Sequence, residues 1–189
     1  MMQTSYRPHW IREDFVDYVL GQVNPMWTWQ RVMARVEAVE PIAEDMIKLT
    51  LSPNKHFNPN QVQAGQFVML TVRIDGVQHQ RAYSLVSSPD NSTLVFGIKK
   101  QGRVSRYLAE RAQVGDVIEI SQAAGEFTLN AKPAAKLFVS AGSGITPIVP
   151  MIKQALSGNN TDAVSLIYYS RDPAFRTELE ALAAQYPLF

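Results

Sequence analysis

The chain has no cysteine in its 189 residues, which removes disulfides, thiol catalysis and any cysteine-ligated zinc or iron-sulfur cluster from these residues. Histidine is nearly as scarce, and His9, His56 and His79 are too scattered to show a metal-site spacing, so no metal is expected. An excess of charge of one sign is missing too. With 18 Lys and Arg against 17 Asp and Glu, the net charge of +1 gives no strong field for nucleic acid or anionic membrane. No apolar run approaches the roughly 20 residues needed to cross a bilayer, so no transmembrane segment is expected. The N-terminal MMQTSYRPHWIRED lacks a basic stretch followed by an apolar one. No secretory signal is therefore expected, and a cytoplasmic location is. Internal repeats and low-complexity tracts are absent.

What is present suits a globular protein: 46% hydrophobic and 19% charged residues. In WIREDFVDYVL, Trp10 to Leu20, the residues Ile11, Phe15, Tyr18 and Val19 recur at helical spacing between Arg12, Glu13 and Asp17. That predicts a short amphipathic helix, ended by Gly21 to Pro25. Packing of this helix against the body of the protein is the favoured reading, and a membrane-peripheral contact through its neighbouring tryptophans the other. From Val32 the chain becomes short β-rich runs: VMARVEAVEP, DMIKLTLSP, GQFVMLTVRI, VQHQRAYSLV, STLVFGIKK and DVIEIS. Pro53, Asn58-Pro59, Asp75-Gly76 and Pro89-Asp90-Asn91 punctuate them. With one intervening helix, Val104 to Ala112, these predict an all-β six-stranded antiparallel barrel.

After Pro133 the pattern changes. KLFVSAG reads as a buried parallel strand without alternation, followed by a GSGITP turn, a helix in IVPMIKQAL, a second strand in AVSLIYYS and a helix in AFRTELEALAAQY. That is the start of a doubly wound α/β nucleotide domain. Its two strands leave edges and faces bare, and the sequence ends at YPLF where a further strand is due. The nucleotide domain is thus expected to be incomplete. The expected division is 1–31 as a helical extension, 32–132 as the barrel and 133–189 as the first part of the α/β domain.

Four groups of residues carry chemistry. In the turn after the first α/β strand, Gly142 and Gly144 allow backbone to approach a pyrophosphate, and the helix start offers free N–H groups. Pro147 is expected at the first helical position. A plain strand-to-helix turn is the alternative. At the end of the next strand stand Ser170 and Arg171, with Arg176 one turn into the following helix. Arginine there suits a 2′-phosphate, which favours NADPH over NADH. Solvated arginines paired with Glu178 and Glu180 explain the same residues. A second helix start, at Gly102 to Ser105, forms another anion site unless Ser105 is only an N-cap. Arg81 and Tyr83 share one strand face, a guanidinium for phosphate and a phenol ring for a flat aromatic ligand. Ser84 joins them only if the strand bends, and an exposed strand face is the other reading.

In order, RAYS (Arg81 to Ser84), GRVSRYL (Gly102 to Leu108), VGD (Val114 to Asp116), GEFTL (Gly125 to Leu129) and GSGITP (Gly142 to Pro147) resemble the ferredoxin-NADP reductase superfamily from Val32 onward. The resemblance implies a barrel binding FAD and an α/β domain binding NAD(P)H. It implies Arg81 on the flavin pyrophosphate, Tyr83 stacked on the isoalloxazine and Ser84 near N5. Gly102, Val104 and Ser105 would complete the pyrophosphate site, with Lys99 near the ribityl or adenosine part. Thr146 would lie between flavin and nicotinamide, and Gly142 and Gly144 on the NADP pyrophosphate. GRVSRYL with GEFTL is similar to the oxygenase-reductase branch, and the tryptophan-bearing extension to reductases serving membrane-bound desaturases. The implied activity is electron transfer from NADPH through FAD to an iron-sulfur or ferredoxin-type acceptor. A two-iron two-sulfur cluster is implied only if a ferredoxin module lies outside this chain. A flavin-binding subunit without reductase activity is the alternative function, and a cofactor-free interaction domain a third.

Overall fold

A computed structural model describes residues 13–86, 93–129, 132, 134–157 and 162–189. The expected helix start at Trp10 to Arg12, the turn residues from Ser87 to Asn91, and Pro133 lie outside the described residues.

Six antiparallel strands form one sheet: β1 (Met33–Ala43), β2 (Met46–Pro53), β3 (Phe67–Ile74), β4 (Val77–Ser84), β5 (Leu94–Lys99) and β6 (Val117–Ile120). Their order is β4-β3-β6-β1-β2-β5. The sheet closes on itself where Leu85, just past β4, bridges Phe96 of β5 and Val86 N–H donates to the Val95 carbonyl at 2.7 Å. Alternation drives the curvature inward. Val68, Leu70 and Val72 of β3 and Leu49 and Leu51 of β2 all point into one core with Val36, Phe96 and Ile98. The hairpin between β3 and β4 turns on Asp75 and Gly76, both left-handed (φ 50° and 78°), the backbone an Asp-Gly pair favours in a two-residue loop. Helix α1 (Glu13–Val23) precedes the barrel, and α2 (Arg103–Glu110) seals it with the buried Val104 and Leu108.

Beyond the barrel come β7 (Lys136–Ala141), α3 (Ile145–Ser157), β8 (Val164–Tyr169) and α4 (Arg176–Gln185), with β7 and β8 paired in parallel. Phe138, Ile145, Ile148, Val149, Met151 and Ile152 share a second core with Met46, Ala64 and Val86 of the barrel region. That common core fixes the α/β segment against the barrel.

Two expectations change. Strand β7 alternates: Phe138 and Ser140 are buried, while Leu137 and Val139 are 63% and 62% exposed. Among the described residues helices cover only one face of the pair, so Ile167 and Tyr169 of β8 are exposed too. Helix α1 ends at Val23, within the expected Gly21 to Pro25 stretch, and the Asn24 side chain that follows accepts the Met26 N–H. Its Phe15, Tyr18, Val19 and Val23 stay exposed rather than packing on the barrel. Polar ties hold the segment after it instead. Asn54 Nδ2 donates to the carbonyls of Met26 and Arg31, the His56 ring meets the Thr28 carbonyl, and Arg31 pairs with Glu119.

Candidate functional site: two grooves joined at Lys99

β4, β5, α2 and the turn before α3 enclose an open groove of about 560 Å³. Arg81, Tyr83 and Ser84 line it from β4, Gly97 and Lys99 from β5, Gly102, Val104 and Ser105 from α2, and Gly144, Thr146 and Pro147 from α3 and the turn before it. Ser84 faces the same groove as Tyr83 despite strand alternation, because β4 ends there and the chain turns to bridge β5 through Leu85. Arg81 is exposed, and its Nη1 donates to the Gln80 carbonyl at 2.7 Å. Tyr83 packs against the edge of the barrel core. Burial pushes its phenol above the ordinary tyrosine range, with the Arg81 guanidinium opposing the shift, so the ring is neutral at physiological pH.

The start of α2 differs from expectation in one respect: Gly102, not Ser105, is the N-cap. The buried Ser105 hydroxyl accepts the N–H groups of Gly102 (2.8 Å) and Gln101 (3.2 Å) and donates to the Gly102 carbonyl (3.1 Å). Ser105 thereby shapes the turn, and the N–H groups of the first helical residues lack intrahelical acceptors and carry the positive dipole end. Arg103 is drawn aside by an ion pair with Asp75 at 2.7 Å.

The Gly142–Gly144 turn is one turn of 3-10 helix running into α3. Gly142 is left-handed (φ 52°), and its carbonyl accepts the Tyr168 hydroxyl at 3.2 Å. Thr146 is buried, and its hydroxyl donates to the Ser143 carbonyl at 3.0 Å. Pro147 is the third residue of α3, not the first, still in the turn where a missing N–H costs nothing. Gly97 matters sterically. A Cβ there would lie 2.6 Å from Thr146 Cγ2 and 2.7 Å from Met46 Cε, so only glycine lets the α3 start settle this close to β5.

A second groove, about 870 Å³, opens at the end of β8 and is lined by Gly142, Ser170, Arg171, Lys99 and Lys100 together with Glu44, Asp45 and Asp172. Lys99 belongs to both grooves and pairs with Asp45 at 3.1 Å. Ser170 Oγ donates to the Asp172 carbonyl, and an Asp172 carboxylate oxygen accepts the Glu44 N–H. Arg176 is the first residue of α4 rather than one turn in, and it does not line this groove. Glu178, expected as an arginine partner, pairs with Lys153.

Gly97 and His79 of the first groove escaped the sequence reading. Gly97 breaks an otherwise apolar strand, a signal of close approach. His79 lies two residues before Arg81, on the same strand face. Among the described residues no cluster of His, Asp and Glu is arranged to hold a metal.

The first groove fits a flavin dinucleotide in its chemistry. It offers a neutral phenol ring, an available guanidinium, a helix start and a floor thinned at Gly97. The family model for the oxidoreductase FAD-binding domain matches residues 33–129. An NADPH oxidoreductase of Mycobacterium tuberculosis is 32% identical over 181 residues, 90% of this chain and 47% of that protein. Ferredoxin–NADP reductase B of Sorangium cellulosum is 33% identical over 159 residues, 79% of this chain and 64% of that protein. The chain thus spans about half to two thirds of the length of these two relatives. In fold, it superposes on the flavohem-like FAD/NAD binding domain of nitric oxide dioxygenase from Vibrio cholerae with a TM-score of 0.76 at 22% identity, covering 83% of this chain and 71% of that one.

Proposed function

From the premise that the chain belongs to the oxidoreductase FAD-binding domain family, we propose that it is the flavin-binding part of an oxidoreductase that passes electrons from NADPH through FAD to an iron-sulfur or ferredoxin-type acceptor. The observation that carries this reading is the convergence of Arg81, Tyr83 and Ser84 with the start of α2 on one groove that also reaches Thr146. Bound FAD supplies the exchange between a two-electron hydride donor and one-electron acceptors. The protein's part is positioning and electrostatics. Tyr83 holds the ring plane, Ser84 hydrogen-bonds at its edge, and Arg81 with the first turn of α2 neutralises the diphosphate. Ser105 keeps that turn in shape, and Val104 closes the groove wall. Lys99 sits where both grooves meet, suited to the ribityl or adenosine part. Gly142 and Gly144 bring backbone to the NADPH pyrophosphate, with Ser170, Arg171 and Arg176 toward the 2′-phosphate. Thr146 stands between the two rings, its methyl against Gly97.

The division at 1–31, 32–132 and 133–189, a cytoplasmic setting and a desaturase or oxygenase as final client belong to the same proposal. One observation favours a second reading, a flavin-binding module without NADPH oxidation. Three carboxylates share the second groove with its cations, and Arg176 stands outside it. Anaerobic addition of NADPH to the flavin-loaded protein decides between them. Loss of the visible flavin absorbance is expected of a reductase, and an unchanged spectrum of a module that only binds.

A further inference from the structure

We propose that Phe175 is a positioning residue that sets how closely the nicotinamide of NADPH meets the flavin; this rests on the NADPH and FAD reading above and adds a residue outside both grooves. Phe175 stands at the N-cap of α4 with a left-handed backbone (φ 61°, ψ 17°) and makes no side-chain cap hydrogen bond. Glycine or asparagine would suit that backbone, and serine, threonine, aspartate or asparagine that cap. Phenylalanine suits neither. Among the described residues the other non-glycine residue with a left-handed backbone is Asp75, in a hairpin loop that favours it. A residue that breaks two local rules at once points to a tertiary role for its side chain.

The ring is buried and reaches back to the barrel. A Cβ on Gly97 would meet three atoms at once: Thr146 Cγ2 at 2.6 Å, Met46 Cε at 2.7 Å and Phe175 Cζ at 3.0 Å. Gly97 and Thr146 line the flavin groove, so the tip of the ring stands behind the stretch of wall where Thr146 comes between the two cofactors. At its other end Phe175 belongs to the segment that carries the second groove's groups. Ser170, Arg171 and Asp172 precede it in the chain and Arg176 follows it. Asp172 Oδ2 accepts the Glu44 N–H from the turn between β1 and β2 at 2.7 Å. Residues 170–176 are thus tied to the barrel twice, by that hydrogen bond and by the ring, which shares a core with Met46. A ligand whose 2′-phosphate is held by this segment has its far ring placed against Thr146 through the same contact. A misplacement of about 1 Å in such an arrangement can slow the reaction about a hundredfold.

The test compares the FAD-loaded full chain of wild type with Phe175→Gly, which keeps the left-handed backbone and removes only the ring. NADP+ is titrated while the flavin difference spectrum is recorded, with 2′,5′-ADP, which lacks the nicotinamide, as the competing probe. The variant is expected to bind FAD and 2′,5′-ADP within about threefold of wild type, yet to lose about half or more of the NADP+ difference signal at saturation. Its flavin should be reduced by NADPH about tenfold more slowly or worse. Phe175→Leu, which refills part of the space, should recover part of both. A ring that only glued α4 to the barrel predicts the other split, weaker 2′,5′-ADP binding with a full signal once saturated. Any variant lacking the ring whose saturated signal and reduction rate equal those of wild type overturns the proposal, whatever its affinity. Should Phe175→Gly not fold, Phe175→Leu is judged by the same criterion. Wild type that takes up no FAD, or gives no NADP+ signal, overturns the NADPH and FAD reading and the proposal with it, a result distinct from a variant that matches wild type.

Discussion

The two grooves are built differently, although Lys99 belongs to both. The walls of the first come from β4 and β5 of a closed barrel and from a helix whose first turn is locked by Ser105. Its residues are therefore held in place before any ligand arrives, and little ordering remains to be done on binding. The second groove relies on exposed side chains at the end of β8 and on the turn between β1 and β2, with carboxylates among its cations. One face of the strand pair behind it carries the exposed Leu137, Val139, Ile167 and Tyr169. Rigidity and sign of charge both favour the first groove as the tighter site, and substitutions should reflect that inequality.

Arg81→Ala should have the largest effect on binding. Loss of charge-assisted hydrogen bonds to a diphosphate is worth about 1.5–3 kcal/mol, or roughly 10- to 150-fold in FAD affinity. Fluorescence titration measures it, and a change under twofold would place the diphosphate elsewhere. Gly97→Val tests the contact between barrel and α3. Its side chain would overlap Thr146 and Met46, so the expected loss is about 1–3 kcal/mol of stability, read as a lower urea midpoint. An unchanged midpoint would mean that the α3 start is not seated on β5. Arg171→Ala, an exposed cation in the second groove, should weaken NADPH by only about 0.2–1 kcal/mol, and a larger loss would erase the contrast between the grooves. Smallest of all is the effect on Tyr83 itself. Burial raises its phenol above the ordinary range, so the folded state holds that proton more tightly and stability falls as pH rises above the usual tyrosine range. A phenolate absorbance titration should show a late component that Tyr83→Phe removes.

Much of the barrel is written in local pattern. Val68, Leu70 and Val72 alternate as an inward face must, and Asp75-Gly76 marks its hairpin. Arg81 and Tyr83 were legible as a pair for the same reason, since period-two geometry needs no knowledge of neighbours. What was not legible depends on residues far away in sequence. The use of the Ser105 hydroxyl on Gly102 and Gln101 could be read as capping but not distinguished from an N-cap. The role of Gly97 requires Thr146, 49 positions later, to approach it. The same limit explains α1, whose spacing announces an apolar face without naming anything to cover it. It also explains β7, whose continuous apolar run describes a sheet covered on both sides, whereas the described residues cover one. In the second groove, Arg171 was legible but the facing carboxylates of Glu44 and Asp45, from the turn between β1 and β2, were not.

The central claim is that the groove between β4, β5 and α2 holds FAD, and titration of the flavin-free chain with FAD tests it most directly. Saturation at one FAD per chain, with quenching of the flavin fluorescence and a strong loss in Arg81→Ala, is the expected result. A chain that stays colourless after reconstitution, or binds flavin equally well without Arg81 and Tyr83, would contradict it.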